Sequence, residues 1–75
     1  MTANADVAEF TPREGAKVTR KAVKDLGLPI GVTIGGLVRD GKGMLVSGNT
    51  QILPGDSVMV FCHSVDMKRI EKYFI

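Results

Sequence analysis

The chain has 75 residues, a formal net charge of +2, 44% hydrophobic residues and one cysteine. That length holds a single domain near the lower limit for a self-sufficient core, and a lone cysteine closes no internal disulfide. No Cys/His spacing suggests structural zinc, the small charge gives no electrostatic case for nucleic acid, and no apolar run reaches the roughly 20 residues that span a bilayer. With so much apolar sequence in a short chain, apolar surface should remain once the core is filled. Burial against a second copy is its natural outlet, so a homodimer or a module docked on a larger protein is expected.

Residues 1–6 read as a disordered or linker-derived lead, with neither the charged start nor the apolar stretch of a signal peptide. A lone cysteine fits a reducing compartment, so the chain is expected to be soluble and cytoplasmic. Val7-Ala8-Glu9-Phe10-Thr11 alternates apolar and polar, as a half-buried strand does, and Pro12 ends it. From Ala16 the spacing changes. Val18, Ala22, Val23 and Leu26 fall at helical intervals, with Lys17, Arg20, Lys21 and Lys24 on the other side. Thr19 as N-cap, Gly27 at C′ and Pro29 beyond it predict a short amphipathic helix.

Val32 to Arg39 is rich in β-branched residues and reads as a strand, with a bulge or close backbone approach at Gly35-Gly36. Asp40-Gly41-Lys42-Gly43 predicts a hairpin turn, and Met44-Leu45-Val46 the returning strand. Ser47-Gly48-Asn49 and Pro54-Gly55-Asp56 are further turns, the second with Pro pre-setting φ and Gly supplying a positive φ. Ser57 to Cys62 forms the last strand. A C-terminal helix follows, capped by Ser64 or Asp66, with Val65, Ile70, Tyr73 and Phe74 as its buried positions. The order is β-α-β-β-β-α, an α+β fold with a small, mainly antiparallel sheet packed with two helices.

Few residues offer chemistry. Cys62 and His63 are neighbours on a strand and point to opposite faces, so they neither chelate one ion nor pair as nucleophile and base. The glycines form neither a dinucleotide fingerprint nor a phosphate loop. The carboxylates are scattered, and Asp56 is expected to serve its own turn through a side-chain to backbone hydrogen bond. No catalytic constellation exists, so no enzyme activity is expected. The basic set Arg13, Lys17, Arg20, Lys21 and Lys24 is open to two readings, a solvated face or a surface for phosphates or an acidic partner. Arg39 closes an apolar strand. Its guanidinium is equally suited to recognise a phosphate or carboxylate in a crevice and to pair with a carboxylate nearby.

These residues resemble a known family. The strand Val7-Ala8-Glu9-Phe10, the segment from Val18 to Pro29 with Lys21, Val23, Leu26 and Leu28 at its fixed positions, the strand from Ile34 through Arg39 to Gly41, and the Pro54-Gly55-Asp56 turn before the last strand follow the pattern of the TrkA-C domain. That domain is the C-lobe of RCK domains, which regulate prokaryotic potassium channels and transporters. The resemblance covers residues 7–75; many family members carry proline where this chain has Ser47.

The resemblance implies a regulatory domain of a Trk-type potassium uptake system, cytoplasmic and peripheral to the inner membrane. It would reach a membrane potassium-translocating subunit through a longer protein, with no direct membrane insertion. The family's NAD or ATP sites belong to a Rossmann half absent from this fragment, so no cofactor is expected here. Such domains usually dimerise, and some bind a nucleotide effector, cyclic di-AMP among them, between subunits. The matching positions are Thr33, Ile34 and Arg39, the apolar one supplying a wall and Arg39 a phosphate contact. A domain that only dimerises, with no ligand of its own, is the alternative, and an accessory domain of an enzyme a more remote one.

Overall fold

A computed structural model describes residues 5–75 of the chain. It contains strands β1 (Ala5–Phe10), β2 (Thr33–Arg39), β3 (Lys42–Leu45) and β4 (Ser57–His63), and one α-helix, α1 (Met67–Glu71). Three single 3-10 turns lie at Lys17–Thr19, Val23–Asp25 and Ser64–Asp66. Of the lead expected at residues 1–6, residues 1–4 lie outside the described part, whereas Ala5 and Asp6 already belong to β1.

The strands form one sheet in the order β1-β4-β2-β3, every neighbouring pair antiparallel. Strand β4 is therefore interior, flanked by the first strand on one side and by the β2–β3 hairpin on the other. Its alternation sets the two faces: Val58, Val60 and Cys62 are buried, and Ser57, Met59, Phe61 and His63 point the other way. The hairpin turn at Asp40-Gly41 has positive φ at both central residues, 52° and 78°, the type I′ geometry whose twist suits adjacent strands. The expected irregularity in β2 is present, since the register against β4 shifts between Ile34 and Gly36. Gly35 is also where backbone and ring meet closely. A Cβ built there would stand 2.6 Å from Cε2 of Phe61, whose ring covers the space a side chain would fill.

One contiguous core lies on the inner face. Ile34, Leu37, Val58, Val60 and Cys62 from the sheet meet Ala16, Val18, Leu26 and Ile52 from the connecting segments and Ile70 and Phe74 from the C-terminal part. The α+β class and the small antiparallel sheet agree with the sequence reading. The first predicted helix does not form: its apolar residues turn inward on the two separate 3-10 turns. Ala16 and Ala22, which precede those turns, have ψ of 143° and 150° and so break any helical run. Backbone donors that a helix would use internally are committed elsewhere. Val18 N bonds to Tyr73 O at 2.9 Å, Val23 N to Thr50 O at 2.9 Å and Lys24 N to Gly48 O at 2.9 Å. Those longer-range bonds compete with a segment whose β-branched residues already favour a helix little. Thr19, expected as an N-cap, instead donates its hydroxyl proton to Ala16 O at 2.7 Å.

At the C-terminus neither Ser64 nor Asp66 makes a side-chain cap bond. Val65, expected inside, is exposed, because it sits on the 3-10 turn and Met67 packs against the core in its stead. Ile70 and Phe74 are buried as expected. Phe74 stacks on Phe10 with centroids 4.9 Å apart and planes 17° from parallel, and Phe74 O accepts from Arg13 N at 3.0 Å. The last residues are thus part of the core. Phe74→Ala is expected to cost about 3 kcal/mol, the usual range for emptying a buried aromatic site. The check is a urea titration, where the midpoint should fall with little change in slope.

Candidate functional site

Two features stand out once the strands are in place: a clasp at the end of β2, and the face of the sheet opposite the core. The clasp is built from Arg39, the last residue of β2, and Asp56, the last residue of the Leu53–Asp56 turn. That turn needs Gly55 at φ 87°, and it closes through Asp56 N to Leu53 O at 3.2 Å. The carboxylate returns the bond, since Oδ2 accepts from Leu53 N at 2.8 Å. Asp56 is thereby fixed facing inward with a side chain only 3% exposed. Arg39 meets it with both edges of its fork, Nε to Oδ1 at 2.9 Å and Nη2 to Oδ2 at 2.7 Å. Nη2 also donates to Gln51 O at 3.1 Å. Gln51 in turn donates from Nε2 to Thr19 O at 3.0 Å, carrying the network to the first 3-10 turn.

The electrostatics follow from that geometry. The Arg39 guanidinium holds the Asp56 carboxyl below its ordinary range, with the Leu53 amide helping and burial opposing. The same bond raises Arg39. Of the two readings open for Arg39, the ion pair is the one this geometry displays, and the local backbone bond expected of Asp56 is also there.

The three positions matching the family's effector contacts do not converge within one chain. Thr33 is exposed at the start of β2, and Ile34 lies on the other face in the core. Arg39 stands at the far end of the strand, six residues and roughly 20 Å away. Cys62 and His63 do lie on opposite faces: Cys62 is buried against Met67, with Sγ to Sδ 3.9 Å, and His63 is exposed. Burial, first, then the carboxylates Asp66 and Asp6 push the Cys62 thiol up, which disfavours the reactive thiolate. No group of three metal-ligating side chains occurs among the described residues.

The outer face exposes several large apolar side chains among its polar ones, where an antiparallel sheet usually turns mainly polar residues to water. Cross-strand register places Val7, Phe61 and Thr33 in one row and Glu9, Met59, Gly36 and Leu45 in the next, with Val38 beside Ser57. Phe61 is 41% and Leu45 90% exposed, and Val7 and Val38 are exposed too. The sequence hinted at surplus apolar residues. It did not show that they collect on one face, because that depends on β4 lying between β1 and β2.

The fold and its clasp define a small α+β module with one sheet face covered by its own chain and the other bare. Its sequence matches the model of the TrkA-C domain family over residues 7–75, and the chain belongs to that family. It is also similar to a Trk system potassium uptake protein TrkA from Azorhizobium caulinodans, 32% identical over 69 residues. That similarity covers 92% of this chain and 15% of the relative's length.

The clasp makes stability depend on acid. A depressed folded pKa means the stabilisation is fully present above the unfolded value, about 3.9, and is lost as pH falls through the folded value. Asp56→Ala removes the pair and the Leu53 bond together and is expected to cost about 2 kcal/mol at pH 7. Thermal melts from pH 7 to pH 2 should show a steeper fall below pH ~4 for the parent chain than for the variant. Identical acid slopes would show that Asp56 carries no linkage.

Proposed function

We propose that this chain is a regulatory assembly domain of a potassium uptake system, and that it works as a homodimer joined through the outer face of its sheet. The observation that carries the dimer is the set of exposed apolar side chains Val7, Val38, Leu45 and Phe61 on the outer face of a domain whose other face is already filled. Membership of the TrkA-C family and the similarity to a potassium uptake protein support the regulatory setting. In that setting the domain is a cytoplasmic part of a longer protein and acts on a membrane potassium-translocating partner. No described helix is long and apolar enough to cross a membrane. A dimer transmits a signal when an effector or partner favours one arrangement of the two copies over another.

The outer face is tested by light scattering after size exclusion. The parent chain should run as a dimer, and Phe61→Arg with Leu45→Lys should give a folded monomer, since two cations then oppose their own copies across the seam. A parent monomer at high concentration, or a double variant that stays dimeric, rules out this face.

A small anionic effector such as cyclic di-AMP is the second part of the proposal. The site joins Thr33 from one region of the assembly to Arg39, whose side chain keeps 28% exposure despite its pair with Asp56. Ile34 supports the wall from the core side. Thermal-shift titrations with cyclic di-AMP, ATP and NAD separate the alternatives, because a ligand that binds the native state raises its melting temperature by mass action. A shift with cyclic di-AMP alone, lost in Thr33→Ala, supports the sensor. No shift with any of the three leaves a domain that only assembles.

A further inference from the structure

The two 3-10 turns create a cleft that neither the clasp nor the outer face uses. It encloses about 170 Å³ and is lined by Lys17, Arg20, Lys21, Asp25 and Leu26. Three cations thus share one small concavity, and among the described residues none of them has a carboxylate oxygen within ion-pair distance. An anion seated among three cationic side chains is attracted by each of them. Arg20 donates to Gly15 O from Nε at 3.3 Å and Nη2 at 2.9 Å, which leaves Nη1 uncommitted among the described residues. Lys17 Nζ stands 4.7 Å from the Tyr73 ring centroid, and Leu26 is buried at the cleft wall. Bonds from Val23 and Lys24 to the carbonyls of Thr50 and Gly48 fix the second turn.

We propose that this cleft binds a protonated phosphate group, either free hydrogen phosphate or the hydrogen form of a phosphate monoester. The size fits a group rather than a whole ligand, since it is below the ~300 Å³ of small-molecule pockets. The charge calls for an oxyanion. Asp25 narrows the choice, because an ionised carboxylate only accepts hydrogen bonds and repels an anion that has no proton to give. Hydrogen phosphate donates its proton in a hydrogen bond to Asp25 while Lys17, Arg20 and Lys21 bind its other oxygens. Sulfate, fully ionised near neutral pH, has no donor for Asp25 and is disfavoured.

The test is a titration of the 75-residue chain followed by amide NMR at about pH 5.5, where free phosphate and most of a phosphate monoester carry a proton, at constant ionic strength and with phosphate, glycerol phosphate, sulfate and chloride in separate arms. Phosphate should saturate with shifts centred on residues 15–26, and sulfate should bind roughly tenfold more weakly, the equivalent of one lost charge-assisted hydrogen bond. Tighter binding of glycerol phosphate assigns a monoester, and tighter binding of phosphate the free ion. Arg20→Gln with Lys21→Gln should weaken phosphate about tenfold with the fold intact, and Asp25→Asn should bring sulfate close to phosphate. Equal effects of phosphate, sulfate and chloride, or a double variant that titrates like the parent, overturn the proposal.

Discussion

A carboxylate that is almost completely buried must be answered by its surroundings, and much of this domain is arranged around the answer given to Asp56. Arg39 supplies two bonds and the Leu53 amide a third. The pair fixes the loop between β3 and β4 against the end of β2. That loop carries Ile52 into the core, and its carbonyls at Gly48 and Thr50 hold the second 3-10 turn. Gln51 reaches the first turn through its side chain. A single ion pair therefore positions a long connection that has no regular structure of its own. Buried pairs are not generous in net stability, and their best-attested use is to select one arrangement among several. Here the selected arrangement is the path of residues 46–56.

The sheet has two unlike faces, one closed by the chain itself and one left exposed. The inner face is closed by the connecting segments and by Ile70 and Phe74. The outer face keeps large apolar side chains in water, with Phe61 lying over Gly35. The missing side chain at Gly35 lets the aromatic ring lie close to the sheet. Family membership places that surface in a domain type associated by similarity with potassium uptake. The cationic cleft lies on the connecting segments instead, away from the sheet's outer face.

Local chemistry in the sequence located the turns well. Asp40-Gly41 and Pro54-Gly55 adopt the conformations their residue types favour, and the paired glycines in β2 mark a register shift. The segment from Val18 to Leu26 was harder to read. Its apolar spacing fits a helix, yet Thr50, Gly48 and Tyr73 supply carbonyls to its amides from distant parts of the chain. A periodicity argument weighs only near neighbours and cannot register those partners. The same limit applied to the site. Arg39 was open to pairing with a carboxylate, and the sequence offered eight without saying which one the fold would bring there. The family pattern singled out Thr33, Ile34 and Arg39 as candidates, while their separation along β2 became visible only with the strand in place.

Strand β4 has one more consequence, and it concerns the order in which the domain can assemble. Val7 pairs with Phe61 and Ala8 with Val60, so the first strand waits for a partner made long after it. Pairings between such distant segments are slow to form because a long loop must close first. During synthesis β1 leaves the ribosome with its apolar edge unmatched, while the β2–β3 hairpin can already form. Only when β4 arrives do the two halves of the sheet join. The domain consequently acquires its structure as a unit only once β4 has been made, and its first strand is the part most in need of protection until then.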